Sequence, residues 1–254
     1  MQVTFLGTGT SSGVPVLTCT CDVCKSADFR DTRLRVSVHI QIDNLNLVID
    51  TGPDFRQQAF RANIQDLDAV LFTHEHRDHT GGLDDIRPYN YMKGPKACHI
   101  YGQERVINQL KSEYYYAFGD NRYPGVPLLE AHIVDNDPFE IKGQKITPIQ
   151  VKHHKLDILG YRIGDFSYVT DANALAETEI EKLRGSKYLV LNALQYESHI
   201  SHFTVDEAVE MAQKIGAEKT YFTHMGHKIG LHASVDNHLP DNIRLAYDGL
   251  KLTL

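Results

Sequence analysis

Residues 74–79 read His74-Glu75-His76-Arg77-Asp78-His79, directly after the apolar run Ala69-Val70-Leu71-Phe72-Thr73. Three imidazoles and a carboxylate within six residues are costly to hold together unless a positive charge sits among them. Neutral imidazole and carboxylate are ligands that zinc, manganese and iron accept. The i, i+2 spacing at a strand end aims His74 and His76 to one side. Asp78 and His79, past the turn, can face a second ion. Three further places repeat the construction. Residues 145–152 run into His153-His154, residues 166–170 into Asp171, and residues 219–223 into His224. Any one alone reads as a buried polar residue with its bonds satisfied. Four of the same kind, on loops at strand ends where rigid scaffolds place chemistry, read as one metal site.

A second cluster is Cys19-x-Cys21-x-x-Cys24. Disulfides among cysteines so close would be strained, and Cys98 is far away in sequence. Three thiolates are one ligand short of a closed tetrahedral zinc site. Cytoplasm is the expected location, and its reducing conditions favour zinc over a disulfide. Cys98 and His39 are both candidates for a fourth ligand, although Cys98 reads better as a small buried apolar residue.

The elements that must position these residues are short β-type runs bounded by turn residues: VTFLG, RVSVHIQI, LNLVID, AVLFT, KITPIQV, YRIG, FSYVT, YLVLNAL, KTYFT and IRLAYD. Helices are expected over Pro53–Asn63, Gln103–Phe118 and Leu175–Arg184. The plainest helix is Val205–Ile215. Thr204 and Glu207 make a capping box, Gly216 stops it, and Val205, Ala208, Val209, Ala212 and Ile215 form one apolar face. Strand-rich halves each followed by helices predict an α/β sandwich with the sheets packed together and helices outside. One domain over 1–254 is expected. The segment 84–127 is the least regular and reads as a lid or partner-contacting insert. The aromatic run Tyr114, Tyr115, Tyr116 and Phe118 is read as helix packing, with a pocket lining or dimer face as the alternatives.

The 254 residues carry 26 Lys+Arg against 33 Asp+Glu, a net charge of −7, which argues against a broad surface for nucleic acid. At 42% hydrophobic and 23% charged, the composition is that of a globular chain rather than a disordered or fibrous one. The start MQVTFLGTGTSSG has no secretory pattern, and no run of about 18 apolar residues offers a membrane span. The composition leaves open whether two chains pair as a homodimer.

The metal constellation resembles the metallo-β-lactamase superfamily, whose signature is HxHxDH followed by later His, Asp and His ligands. The resemblance implies a four-layer αβ/βα sandwich holding two divalent metals, with zinc or manganese expected. It assigns His74, His76 and His153 to one metal, and Asp78, His79 and His224 to the other, with Asp171 bridging. Asp50, in Asp50-Thr51-Gly52, takes the place of an aspartate that supports the ligand loop. His154 has no counterpart and reads as a surface or supporting residue. The start FLGTGTSSGVP, the cysteine motif, HHKLDILGY, THMGH and the closing DG look like the PhnP branch, the phosphoribosyl 1,2-cyclic phosphate phosphodiesterases. That likeness covers nearly the whole chain and is weakest through 84–127. It implies that His227 completes a structural zinc site with Cys19, Cys21 and Cys24.

The expected reaction is hydrolysis of a small, cyclic phosphodiester by a hydroxide bridging the two metals, with Asp78 orienting it. By resemblance His202 serves the leaving oxygen, and its place two residues before Thr204, at a helix N-terminus, would favour an anion. His199 is the weaker candidate. Gly7, Gly9 and Gly13 form no recognisable phosphate loop and read as a tight turn below the site. A tRNA 3′-processing endonuclease of the ribonuclease Z type shares FLGTG, HxHxDH and a His-x-Thr before a helix, but it needs a flexible basic arm that this chain lacks. Lactone or thioester hydrolysis is a further alternative. A non-catalytic binding protein of the same fold is disfavoured because all seven ligand positions are filled.

Overall fold

The computed structural model describes residues 1–119 and 123–254, and among them the chain forms two mixed sheets laid face to face. The first contains β1 (Gln2–Gly7), β2 (Ser37–Ile42), β3 (Leu45–Ile49), β4 (Ala69–Leu71), β5 (Cys98–Gly102) and β6 (Leu129–Ile133). The second contains β7 (Phe139–Ile141), β8 (Gln144–His153), β9 (Leu156–Ile163), β10 (Phe166–Tyr168), β11 (Ala174–Leu175), β12 (Tyr188–Asn192), β13 (Lys219–Thr223) and β14 (Ile243–Leu245). Finally β15 (Lys251–Thr253) returns to pair with β1.

The period of two along each strand divides the apolar side chains between two cores. Val3, Phe5, Ile49 and Leu71 of the first sheet meet Ile146, Tyr161, Phe166 and Val190 of the second. Their alternates Leu6, Val48 and Val70 pack outward with Phe55, Val106, Ile107 and Leu110 of helices Phe55–Ala62 and Glu104–Glu113. On the other side Leu189, Leu191 and Phe222 pack with Ile180, Ala208 and Ala212 of helices Glu177–Leu183 and Val205–Ile215. Helix, sheet, sheet and helix are the four layers that the sequence predicts.

Helix Val205–Ile215 has the expected bounds, its capping box is formed in both directions, and Gly216 ends it at φ 72°. Two expected helices are shorter. Pro53 stays outside Phe55–Ala62, because Asp54 at the cap position is bonded to Arg35 instead. The run 103–118 breaks at Tyr114, whose hydroxyl donates to the Thr80 carbonyl at 2.9 Å. The segment 84–127 is also more regular than its composition suggests. It supplies β5 and buries Ile86, Cys98, Ile100 and Val106 in the outer core. Residues 120–122 of that segment lie outside the described residues. Among the described residues no helix is long and apolar enough to cross a membrane.

Candidate metal centre

Strands β3, β4 and β5 run parallel, as do β10, β12 and β13. Strand β8 is antiparallel to β9, and β9 to β10, so β8 points the same way as β10. Carboxyl ends of the two sheets therefore deliver Asp50, His74 and His79 from one side and His153, Asp171 and His224 from the other. Asp50, Asp171 and His224 all have left-handed backbone, at φ 62°, 59° and 56°. Non-glycine residues in that region carry strain, and it gathers here at turns that aim side chains. Gly52 serves the same end differently. A Cβ there would lie 2.1 Å from the Asp78 carbonyl, so only glycine lets this loop pack against the HxHxDH turn.

The side chains meet in two overlapping groups. His74, His76 and His153 form one, with His74 Nε2 2.9 Å from His76 Nδ1. Asp78, His79 and His224 form the other. Asp171 stands among them, with carboxylate oxygens 3.4 Å from His79 Nε2 and 3.1 Å from His224 Nε2. His79 Nε2 also lies 3.2 Å from Asp78. Neither His79 Nε2 nor His224 Nε2 has a hydrogen-bond partner, although both are buried. Orphaned buried nitrogens are rare in proteins, and these two converge on carboxylates as ligands of common cations would.

The opposite ring nitrogens are held from behind. His153 Nδ1 donates to the Asp171 carbonyl at 2.7 Å, and His79 Nδ1 to Asp50 at 2.7 Å. Each leaves Nε2 facing inward, where a cation that displaced its proton would take the lone pair, the arrangement metal-ligating histidines require. Burial works against a proton on His79, but Asp171, Asp50 and Asp78 hold its pKa well above the usual imidazole range. Against the same burial, Asp171 and Asp78 raise His224 to about 9. Burial, reinforced by the charge on His79, keeps His74 well below it. Asp171 stays ionised, since His224 and His79 outweigh its burial. The carboxylates thus draw positive charge into this cup, a demand that divalent cations would meet.

His202 borders the same cup. Its ring stacks on His224 at 4.7 Å and lies 4.9 Å from that of His153, while its buried Nδ1 has no partner and is 3.9 Å from Asp171. Burial, then the charge on His224, pushes its pKa down to about 3. His199 is exposed, and its ring packs 5.0 Å from that of His202. His154 is exposed as well.

Three supporting residues went unread in the sequence. Thr73 donates both its amide and its hydroxyl to Asp50, and the hydroxyl sits 3.0 Å from His74 Nδ1. Asn192 brackets Ala172 with two hydrogen bonds, fixing the turn just after Asp171. Arg105 pairs with Glu75 inside the HxHxDH motif and reaches the Asp157 carbonyl at 2.5 Å. The available signal was a polar residue closing an apolar run, as in Tyr188–Asn192.

The four residues of the second cluster also come together. Cys19, Cys21 and Cys24 place Sγ at 3.1, 3.5 and 3.5 Å from His227 Nδ1. One nitrogen closely faced by three sulfurs matches the chemistry of a Cys₃His zinc site. The backbone amide of Cys24, then His227, draws the Cys21 thiol down to about 6, toward the thiolate that binds metal. The competing ligands stand elsewhere: Cys98 is buried in the outer core, and His39 pairs with Asn46 at 3.2 Å. The glycine-rich start packs on this region, with Thr10 N bonded to the Met225 carbonyl at 3.0 Å.

Comparison with known proteins agrees with this geometry. Residues 45–225 match the model of the β-lactamase superfamily domain. The chain is 40% identical to a solved structure described as a new diphosphatase from the PhnP family, with a TM-score of 0.93 over 100% of this chain and 97% of that one. Zn(2+)-bound PqqB from Methylobacterium extorquens shares the fold at 19% identity, with a TM-score of 0.80 and full coverage of both chains. An octanoyltransferase from Porphyromonas gingivalis is 40% identical across 99% of this chain. That match takes in 51% of the octanoyltransferase, so the chain spans about half the length of this curated relative, whose name describes the whole of it.

Proposed function

We propose that the chain, a member of the β-lactamase superfamily and within it of the PhnP family, is a metal-dependent hydrolase whose substrate is a small phosphodiester, cyclic by preference. The observation that carries this reading is the meeting of two ligand groups at Asp171 with the buried imidazole of His202 at their edge. Two divalent cations, zinc or manganese, held by His74, His76 and His153 and by Asp78, His79 and His224 with Asp171 shared, would supply Lewis-acid charge to the phosphoryl oxygens and lower the proton affinity of water.

The side chains do the rest. Asp78, more exposed than Asp171, can accept a hydrogen bond from the attacking water and aim it. His202 faces the leaving oxygen. Its ring is neutral at rest, and an anionic phosphate seated against it raises its proton affinity, so that it can protonate an alkoxide as it leaves. His202 and the cysteine cluster favour phosphoryl over carbonyl chemistry, which ranks lactones and thioesters below phosphodiesters. The −7 charge disfavours a tRNA substrate. One additional reading has its own support: the 40% identical PhnP-family structure is described as a diphosphatase, so a phosphoanhydride is the second substrate class. We assign the protein to the cytoplasm, where clustered thiols persist as zinc ligands.

The test is elemental analysis beside turnover of cyclic phosphodiesters, linear phosphodiesters, diphosphates, lactones and thioesters. At least three metals per chain with fastest turnover of a cyclic phosphodiester is expected. Fastest turnover of a diphosphate moves the assignment to the second class, and turnover of carbonyl esters alone overturns both.

A further inference from the structure

We propose that His99, Glu130 and His132 form an accessory site for one divalent cation of the zinc, nickel or copper class, at the edge of the first sheet and apart from both clusters above. Strands β5 and β6 are parallel, and their register sets His99 beside Glu130 and Tyr101 beside His132. Side chains paired in this way and two residues apart leave the same face of the sheet, so all four project together. That face turns inward: Tyr101 belongs to the core between the sheets and stacks on Phe139 of β7 at 5.2 Å. Strand β6 is the edge strand, and there the core gives way to the half-buried imidazoles.

His99 Nδ1 and His132 Nε2 stand 2.9 Å apart, and the two carboxylate oxygens of Glu130 divide between them, Oε2 3.7 Å from His99 Nδ1 and Oε1 3.7 Å from His132 Nε2. A hydrogen bond between the imidazoles would account for the first distance but not for the carboxylate, which is beyond hydrogen-bond reach of both rings yet equidistant from them. Ligand atoms about 2.0–2.1 Å from a tetrahedral ion lie about 3.3 Å from one another. The observed 2.9 and 3.7 Å bracket that separation. Stacking on Tyr101 at 4.5 Å fixes the His132 ring. Asp68, whose backbone carbonyl takes the His99 amide, is committed to Lys96 at 2.5 Å and Lys142 at 2.8 Å and does not compete for the ion. Two imidazoles and one carboxylate suit zinc, nickel or copper and leave a position for solvent. A cation there would tie the edge strand to its neighbour.

The test is equilibrium dialysis of the full chain against zinc, with elemental analysis, for wild type, His99→Gln, His132→Gln and Glu130→Gln. Wild type should take up one more equivalent than either histidine variant, at micromolar free zinc. Glu130→Gln, at an exposed position that threatens folding least, should weaken that equivalent by about tenfold or more. Phosphodiester turnover should be unchanged in all three. Equal zinc content in wild type and every folded variant overturns the site, as does an extra equivalent that appears only at millimolar zinc. The outcome is independent of which ester the enzyme cleaves.

Discussion

Asp50 Oδ2 lies 2.7 Å from His79 Nδ1, and neither side chain has any solvent exposure. The carboxylate keeps hydrogen on Nδ1 and so makes Nε2, facing Asp171 and Asp78, the nitrogen that a metal would take. Asp50→Asn would keep an acceptor for Thr73 but turn an N–H toward His79, reversing that tautomer. Metal affinity should fall about 10- to 100-fold, read as metal lost on dialysis with the circular dichroism unchanged. Full metal content and full turnover would show that the contact orients nothing.

His202 touches the cup without being one of its seven ligand positions. His202→Ala should leave the metal content intact and lower kcat about 10²- to 10⁴-fold on esters with alkoxide leaving groups. The loss should shrink with a nitrophenolate, which departs without a proton. Equal losses on both substrates would mean the residue only shapes the pocket.

The cysteine cluster should act on stability before catalysis. His227→Ala or Cys24→Ser should remove one zinc per chain and cost about 4 kcal/mol, the range in which loss of a metal falls. Thermal unfolding measures the loss, and turnover well below the melting point should stay within a few-fold. A variant that holds as much zinc as wild type would point to another ligand set.

Acid should weaken the fold through His232. Its Nδ1 is 3.1 Å from the buried Arg33 guanidinium, and burial followed by the charge of Arg33 lowers its pKa to about 4. An unfolded histidine titrates near 6.5, so between these values the unfolded chain binds more protons. The contribution is therefore present in full above pH 6.5 and is lost as pH falls toward 4, on the order of 1–3 kcal/mol. Denaturant unfolding from pH 7 to pH 4 measures it, and His232→Asn should flatten the slope. An unchanged slope would assign the acid sensitivity elsewhere.

The side chains that meet in the cup were legible because His74, His153, Asp171 and His224 each close a β-type run, and helix Val205–Ile215 because its cap, apolar stripe and terminal glycine are all local signals. Their supports were not. Thr73 and Asp50 are 23 residues apart, and nothing near either one announces their hydrogen bond. Strands β5 and β6 escaped notice because His99, Glu130 and His132 interrupt their apolar pattern, and that pattern is what identifies a strand. The segment 84–127 reads as an insert because Pro88, Gly94 and Pro95 punctuate it, yet the core claims Ile86, Ile100 and Val106 once β5 pairs with β4.

The left-handed turns at Asp50, Asp171 and His224 are set by backbone that the two sheets hold in place. The cup should therefore keep its shape when a chelator empties it and refill without refolding. The cysteine loop has no such frame, being held by a few turn hydrogen bonds and the one buried side chain of Val23, while Leu17 stands exposed. Chelation would thus silence the proposed hydrolysis reversibly at one centre while unfastening the N-terminal loop at the other.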